Sequence, residues 1–270
     1  MNNVKVTCLS ENTVSFRYSL LACIGQSLFL EVDDKKYLFD TSQIYEGLIY
    51  NLENLHMQLE DIDTVIISHN HLDHSGALYK LIDHLTTQKL LLPPDMIHTD
   101  ESLYNPRYRT EGQKTAIQRL LDYKNSLIIS EAMQIDKHVY TTGSLKAPAK
   151  EQSLVLDIPN KGLVVLVGCS HPTLPVIIDK ARQVAKNSRI YGIIGGLHYA
   201  PLGEKELTEN IRYIKSLNPD FIIPSHCTGY NAIVMMQKVL GEKVHVAPIG
   251  GQFGAGNSVT ILPELEFDIR

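Results

Sequence analysis

The chain has 270 residues, of which 44% are hydrophobic, enough for a real core in one large domain or two small ones. Its formal net charge is -5, with Lys and Arg scattered, which excludes the strong basic field that draws proteins to nucleic acid. Four cysteines stand at 8, 23, 169 and 227 without a C-x-x-C pair, which argues against a disulfide framework and for reduced thiols in a cytoplasm.

The N-terminal residues lack a signal-peptide h-region, and the apolar stretch Leu20 to Ile24 is far too short to span a bilayer. A cytoplasmic location with no membrane partner is expected. Val4 to Cys8, Ser27 to Val32 and Lys36 to Phe39 read as strands, with Asp33-Asp34-Lys35 as a hairpin turn. Tyr45 to Leu55 reads as a helix, Asp61-Ile62-Asp63 as a turn and Thr64 to Ile67 as a strand; a helix is expected from Ser75 to His84.

Between 93 and 150 the pattern changes. Pro93-Pro94, Asn105-Pro106 and Ala147-Pro148 interrupt it, around a polar helix near Gly112 to Tyr123. This segment reads as an insertion, either laid over a site or an ordinary surface excursion. Ser153 to Ile158 and Gly162 to Val167 then read as paired strands turned at Pro159-Asn160-Lys161. Helices at Pro172 to Lys186, Lys205 to Ser216 and Ala232 to Leu240 alternate with strands at Ile190 to Ile194 and Phe221 to Ile223. Val244 to Val246 and Ser258 to Leu262 close the pattern, and the glycine-rich Gly250 to Gly256 reads as a flexible loop rim. Strands at both ends with αβ alternation in each half predict a single α/β domain, a four-layer αββα sandwich.

The chemistry concentrates in Ser68-His69-Asn70-His71-Leu72-Asp73-His74, where three histidines and one aspartate fall within six positions. Residues i and i+2 at a strand end point the same way, so His69 and His71 can share one metal ion. Asp73 and His74 then come round to face a second position nearby. Imidazole and carboxylate are ligands for zinc and similar divalent ions. Three further histidines follow predicted strands in the same way: His171, His198 and His226. For each, the alternative is a hydrogen-bonded structural histidine, and His198 stands evenly between the two. Surface or packing roles are expected for His56, His84, His98, His138 and His245. Cys169 and Cys227 neighbour candidate ligands and either can coordinate zinc; the favoured reading is a buried, inert cysteine beside the site.

These residues resemble the metallo-β-lactamase superfamily, whose motif H-x-H-x-D-H is matched by His69, His71, Asp73 and His74. Tyr37-Leu38-Phe39-Asp40-Thr41 resembles the strand and aspartate that buttress this motif. Gly168-Cys169-Ser170-His171-Pro172, Gly195-Gly196-Leu197-His198 and Ser225-His226-Cys227-Thr228-Gly229 resemble the branch named for a dihydropterin methyl-aminobenzene ribosyl-phosphate synthase. The resemblance implies that His69 and His71 hold one ion and that Asp73, His74 and His226 hold the other. It implies that His171 completes the first or lies between them, and that His198 meets the substrate. Where many members carry a bridging aspartate, this chain has Cys169; Glu151 or Cys169 is the expected substitute, with one or two ions bound.

The activity so implied is metal-assisted hydrolysis of an ester, amide or phosphoester of a small molecule, with Asp73 orienting the water and His198 polarising the oxygen. Zinc is the expected ion, with Mn and Fe as alternatives. A pterin-related synthase and a low-turnover metal-binding sensor are the other readings. No nucleic-acid partner is expected. Tyr104, Arg107, Tyr108 and Arg109 are candidates to meet an anionic or aromatic substrate.

Overall fold

Strand alternation decides which layer each side chain enters. The structure is a computed structural model that describes residues 4–14, 19–96, 111–246, 249, 252–255, 259–262 and 267–269. The N-terminal half forms β1 (Val4–Ser10), β2 (Ser27–Val32), β3 (Lys35–Phe39), α1 (Tyr45–Asn54), β4 (Thr64–Ile66), α2 (Leu72–Ser75), α3 (Leu78–Leu81), β5 (Lys89–Leu92), α4 (Glu111–Asp122) and β6 (Ser126–Ile128). Next come β7 (Met133–Asp136), β8 (Val139–Thr141), β9 (Leu154–Ile158), β10 (Gly162–Val167), α5 (Leu174–Ala185), β11 (Ile190–Gly196), α6 (Glu204–Leu217), β12 (Phe221–Ser225) and α7 (Tyr230–Leu240). β13 (Gln252–Ala255), β14 (Val259–Leu262) and β15 (Phe267–Ile269) follow.

Among the described residues the strands form two sheets, ordered β15-β14-β13-β1-β2-β3-β4-β5-β6 and β12-β11-β10-β9-β8-β7. Leu28, Leu30, Tyr37 and Phe39 of the first sheet meet Leu154, Leu156, Val164 and Leu166 of the second in one buried cluster between them. The alternate residues Phe29 and Leu38, with Val65 and Leu90, face outward beneath Leu48 and Leu52 of α1, Leu78 and Leu81 of α3 and Leu120 of α4. Leu163, Val165 and Val167 of β10 pack under Ile177 and Ile178 of α5, Ile211 and Ile214 of α6 and Met236 of α7. This is the predicted four-layer αββα sandwich. No helix among the described residues is long and apolar enough to cross a membrane.

Strands β3 to β6 run parallel, as do β10 to β12. The loops at the C-terminal ends of β3, β4, β10, β11 and β12 are where an α/β sheet gathers a site. Two buried amides join the two sheets there. The Gln26 side chain donates to the Val167 carbonyl (2.9 Å) and accepts from Ser225 Oγ (3.2 Å). Gln152 donates through Nε2 to the Ile67 carbonyl (2.8 Å) and through its backbone N–H to the Ser68 carbonyl (2.9 Å).

Several elements depart from expectation. The helix expected over Ser75 to His84 breaks into α2, α3 and a 3-10 turn at Ile82–His84. The Ala77 N–H donates to the Ser42 carbonyl (3.0 Å), an acceptor outside the helix, so the ladder is interrupted. The rim expected at Gly250 to Gly256 is in its described part β13, an antiparallel partner of β1. Val244 forms only an isolated bridge to Ile222, so Val244 to Val246 is not a strand. Pro224 lies inside β12, which is tolerated because β12 is a sheet edge. The described part of segment 93–150 builds α4, β6, β7 and β8, and its strands extend both sheets. His98, Tyr104, Arg107, Tyr108 and Arg109 lie outside the described residues.

Gly192 of β11 pairs with Phe221 of β12, and a Cβ at Gly192 would stand 1.9 Å from the Phe221 ring. Overpacking a closed core costs about 1–3 kcal/mol. Gly192→Ala is expected to lower the urea midpoint of the protein, and adding Phe221→Leu to recover part of the loss. An unchanged midpoint for Gly192→Ala would contradict this packing.

Candidate metal centre

The site begins with a buried carboxylate. Asp40 follows β3 in a left-handed conformation (φ 62°) that turns its side chain across the end of β4. Its Oδ1 accepts the Ser68 N–H (2.7 Å), and Oδ2 accepts both Ser68 Oγ (2.8 Å) and His74 Nδ1 (2.7 Å). The His74 proton is thereby held on Nδ1, and Nε2 is aimed inward, 3.1 Å from Cys169 Sγ. The Ser68 hydroxyl has one proton, and Asp40 takes it. His69 Nδ1, 2.9 Å from that hydroxyl, is then the donor, which leaves the His69 Nε2 lone pair facing the centre. His71 Nδ1 lies 3.1 Å from His69 Nε2.

The second sheet supplies the opposite wall. Both Glu151 oxygens are occupied by the loop after β10: Oε1 accepts the Cys169 and Ser170 N–H groups (3.0 Å each) and Oε2 accepts that of His171 (2.9 Å). Glu151 therefore shapes the loop and joins none of the candidate ligand groups among the described residues, whereas Cys169 joins several. Cys169 is buried, as expected, with its Sγ 3.1 Å from His74 Nε2 and 3.2 Å from Cys227 Sγ. Glu11 Oε1 accepts the His226 N–H (2.7 Å) and sets the turn after β12. His226 Nε2 comes within 3.1 Å of Asp73 Oδ2. The His198 N–H donates to Cys227 Sγ (3.2 Å), and its ring lies 4.8 Å from that of His171.

Two of the five groups of potential ligand atoms among the described residues, the atoms of each within 4.8 Å of one another, account for every sequence-predicted metal ligand. His69, His71 and His171 form one, and Asp73, His74 and His226 another. Cys169 joins His69 and His74 in a third and also groups with His226 and Cys227, or with His171 and His198. His56, His84, His138 and His245 belong to none of these groups. His171 Nε2 and His226 Nδ1 are buried without a hydrogen-bond partner, while His226 Nε2 meets Asp73 Oδ2 at 3.1 Å. Buried polar atoms left without a partner are costly, and a metal ion satisfies them.

The electrostatics fit neutral, ligand-ready imidazoles at His69, His71 and His171. Burial, reinforced by neighbouring histidines, holds His69 well below its ordinary pKa and pushes His171 down to about 3; His71 is lowered mainly by burial. Burial alone would raise Asp73, but His226, His74 and His71 outweigh it and keep the carboxylate ionised. Burial opposes protonation of His74, yet the Asp40 charge and hydrogen bond raise its pKa to about 9. The hydrogen bond between the thiols drives the two cysteines apart, with Cys169 raised and Cys227 lowered to about 4. Contact with Cys227 raises His198.

The sequence profile described as the metallo-beta-lactamase superfamily matches residues 20–226. The chain is 23% identical to the 7,8-dihydropterin-6-methyl-4-(beta-D-ribofuranosyl)-aminobenzene-5'-phosphate synthase of Methanocaldococcus jannaschii, over 90% of this chain and 93% of that protein. Its fold is similar to that of Tm1679, a metal-dependent hydrolase of the beta-lactamase superfamily (TM-score 0.73, 20% identity, 94% of this chain and 100% of that one). It is also similar to the metallo-beta-lactamase fold protein YhfI of Bacillus subtilis (TM-score 0.62, 15% identity, 94% of this chain and 100% of that one). With the motif, the sandwich and the profile in agreement over most of its length, the chain belongs to the metallo-beta-lactamase superfamily.

Proposed function

We propose that this protein is a metal-dependent hydrolase acting on an ester, amide or phosphoester of a small molecule. The observation that carries the reading is the set of imidazole nitrogens gathered around Asp73 and Cys169, with His171 Nε2 and His226 Nδ1 buried without a hydrogen-bond partner. His69, His71 and His171 are the ligands of one subsite in this reading, and Asp73, His74 and His226 those of the other, with Cys169 between. A divalent ion held there, such as zinc, manganese or iron, supplies Lewis acidity and lowers the pKa of a bound water toward about 7.

The chain's own groups do the rest. Asp73, kept ionised by the surrounding histidines, orients the attacking water and accepts its proton. His198, whose protonated form is favoured by Cys227, donates to the substrate oxygen that gains charge. Asp40 is a positioning residue, since it touches His74 rather than the reacting atoms. The net charge of -5 supports a small-molecule substrate over nucleic acid. A cytoplasmic setting is consistent with four free cysteines.

One observation favours a second reading. The Methanocaldococcus relative, similar over nearly the whole chain, is named as a synthase. In that reading the same histidines and Asp73 would hold a metal that would supply Lewis acidity, with a pterin precursor and a ribosyl-phosphate aminobenzene as the substrates. Incubation with both precursors and mass spectrometry of the products separates the two: a condensed product replaces the hydrolase reading.

Metal analysis of purified protein is expected to give about two equivalents per chain, reduced in His69→Ala together with turnover of a phosphoester and lactone panel. Full turnover by a metal-free His71→Ala protein would overturn the proposal.

The metal-free protein is expected to lose stability between pH 6.5 and pH 4.5. Over this range His69 and His171 stay largely neutral when folded but protonate on unfolding, where the usual value is 6.5, and His71 is shifted in the same direction. Their contribution is present above 6.5 and is lost as pH falls. Cys227, at about 4 when folded, acts in the same direction. Glu151, raised by burial to about 7 from the usual 4.5, opposes them as a single group. His74 is protonated in both states below 6.5 and adds no slope. A urea midpoint that is unchanged or higher at pH 4.5 would contradict a cluster of neutral imidazoles.

A further inference from the structure

We propose that Cys227 is a second sulfur ligand of the centre and that, with Cys169 and His226, it makes one subsite thiolate-rich and selective for thiophilic divalent ions. This inference rests on the metal-centre reading above and adds a ligand, and a class of ion, to it.

Three independent features place the sulfur there. The Cys227 and Cys169 Sγ atoms are 3.2 Å apart, and both group with a His226 ring nitrogen within 4.8 Å. The two cysteines are free thiols, so the short separation is not a disulfide. Consecutive side chains normally diverge, yet His226 and Cys227 both face the centre. They do so because His226 takes a left-handed conformation (φ 51°) at the start of a single 3-10 turn, His226–Thr228. That turn is pinned from both sides. Glu11 accepts the His226 N–H (2.7 Å), and Thr228 Oγ1 accepts the Leu197 N–H (3.1 Å).

The surroundings leave room for a sulfur and orient a donor toward it. A Cβ at Gly196 would stand 2.7 Å from Cys227 Sγ and 2.4 Å from the Gly168 carbonyl, so a side chain there would displace the thiol or the strand. The backbone N–H of His198 donates to the same sulfur at 3.2 Å. A backbone donor aimed at sulfur favours the anion over the thiol, and the anion is the form that binds metal. Thiolates select zinc, cadmium or cobalt over manganese and magnesium, which prefer oxygen. On metal binding each ligating thiol releases its proton to solvent, and no electron transfer is involved.

Titration of the full-length, metal-free protein with Co²⁺ tests this by absorbance. Cobalt thiolates show a charge-transfer band in the near ultraviolet, separate from the visible bands that any bound cobalt gives. The wild type is expected to show the band, and Cys227→Ser and Cys169→Ser each to lose about half its intensity. The double variant is expected to lose the band and to keep the visible bands from the histidine subsite. A Cys227→Ser protein with the full wild-type band would overturn the inference while leaving the metal-centre reading standing. Absence of any cobalt spectrum in the wild type would overturn both. A second measurement needs no variant. Zinc is expected to protect Cys227 of the wild-type protein from alkylation, read by peptide mass spectrometry. Equal labelling with and without bound zinc would also overturn the inference.

Discussion

The arrangement depends on one buried carboxylate. Asp40 is fully enclosed and spends its acceptor capacity on Ser68 and His74, which lie at the two ends of the metal motif. An isolated charge in such a place is prohibitively costly, so the motif loop must present those donors or the fold is strained. The same logic recurs around the rim. Glu151 is satisfied by three N–H groups of the loop after β10, and Glu11 by Thr13 and by the N–H of His226. Each of these carboxylates fixes the backbone that carries a candidate ligand. The outer carboxylates are thus fully paired, and the imidazoles they position face one another across the candidate centre.

Much of this was legible in the sequence because it is local. His69, His71, Asp73 and His74 are contiguous, and the strand-end geometry that groups them follows from a period of two. The alternation of Leu28, Phe29 and Leu30, or of Leu163, Val164, Val165 and Leu166, is enough to assign the layers. What escaped is tertiary. Gly254 within β13 lowers strand propensity, and only pairing with β1 makes that segment a strand. The break after Ser75 depends on Ser42, more than thirty residues earlier. Nothing in the composition around Glu151 reveals that a loop will consume both of its oxygens. Cys169 is buried as its sequence neighbourhood suggested, and only the fold shows that its sulfur faces His74 and Cys227.

A further pattern had no sequence signal at all. Asp40, Ser170, His198 and His226 each follow a strand of one sheet or the other, and each has a positive φ. None is glycine, the residue usually placed at such positions. A single left-handed residue turns the chain sharply at the strand end and brings a side chain over the mouth of the sandwich. Non-glycine residues in this region cost free energy, and they collect at functional sites where the surroundings overdetermine them. Here the overdetermination is visible as the hydrogen bonds of Glu11, Glu151 and Asp40.

The position of β1 has a consequence for the biogenesis of the protein. β1 is an interior strand, flanked by β2 and by β13 from some two hundred and fifty residues later. During translation its outer edge has no partner. An open edge of this kind is a template for pairing with another chain. That edge closes only when β13 arrives, so it is exposed to association throughout the interval between the synthesis of the two strands.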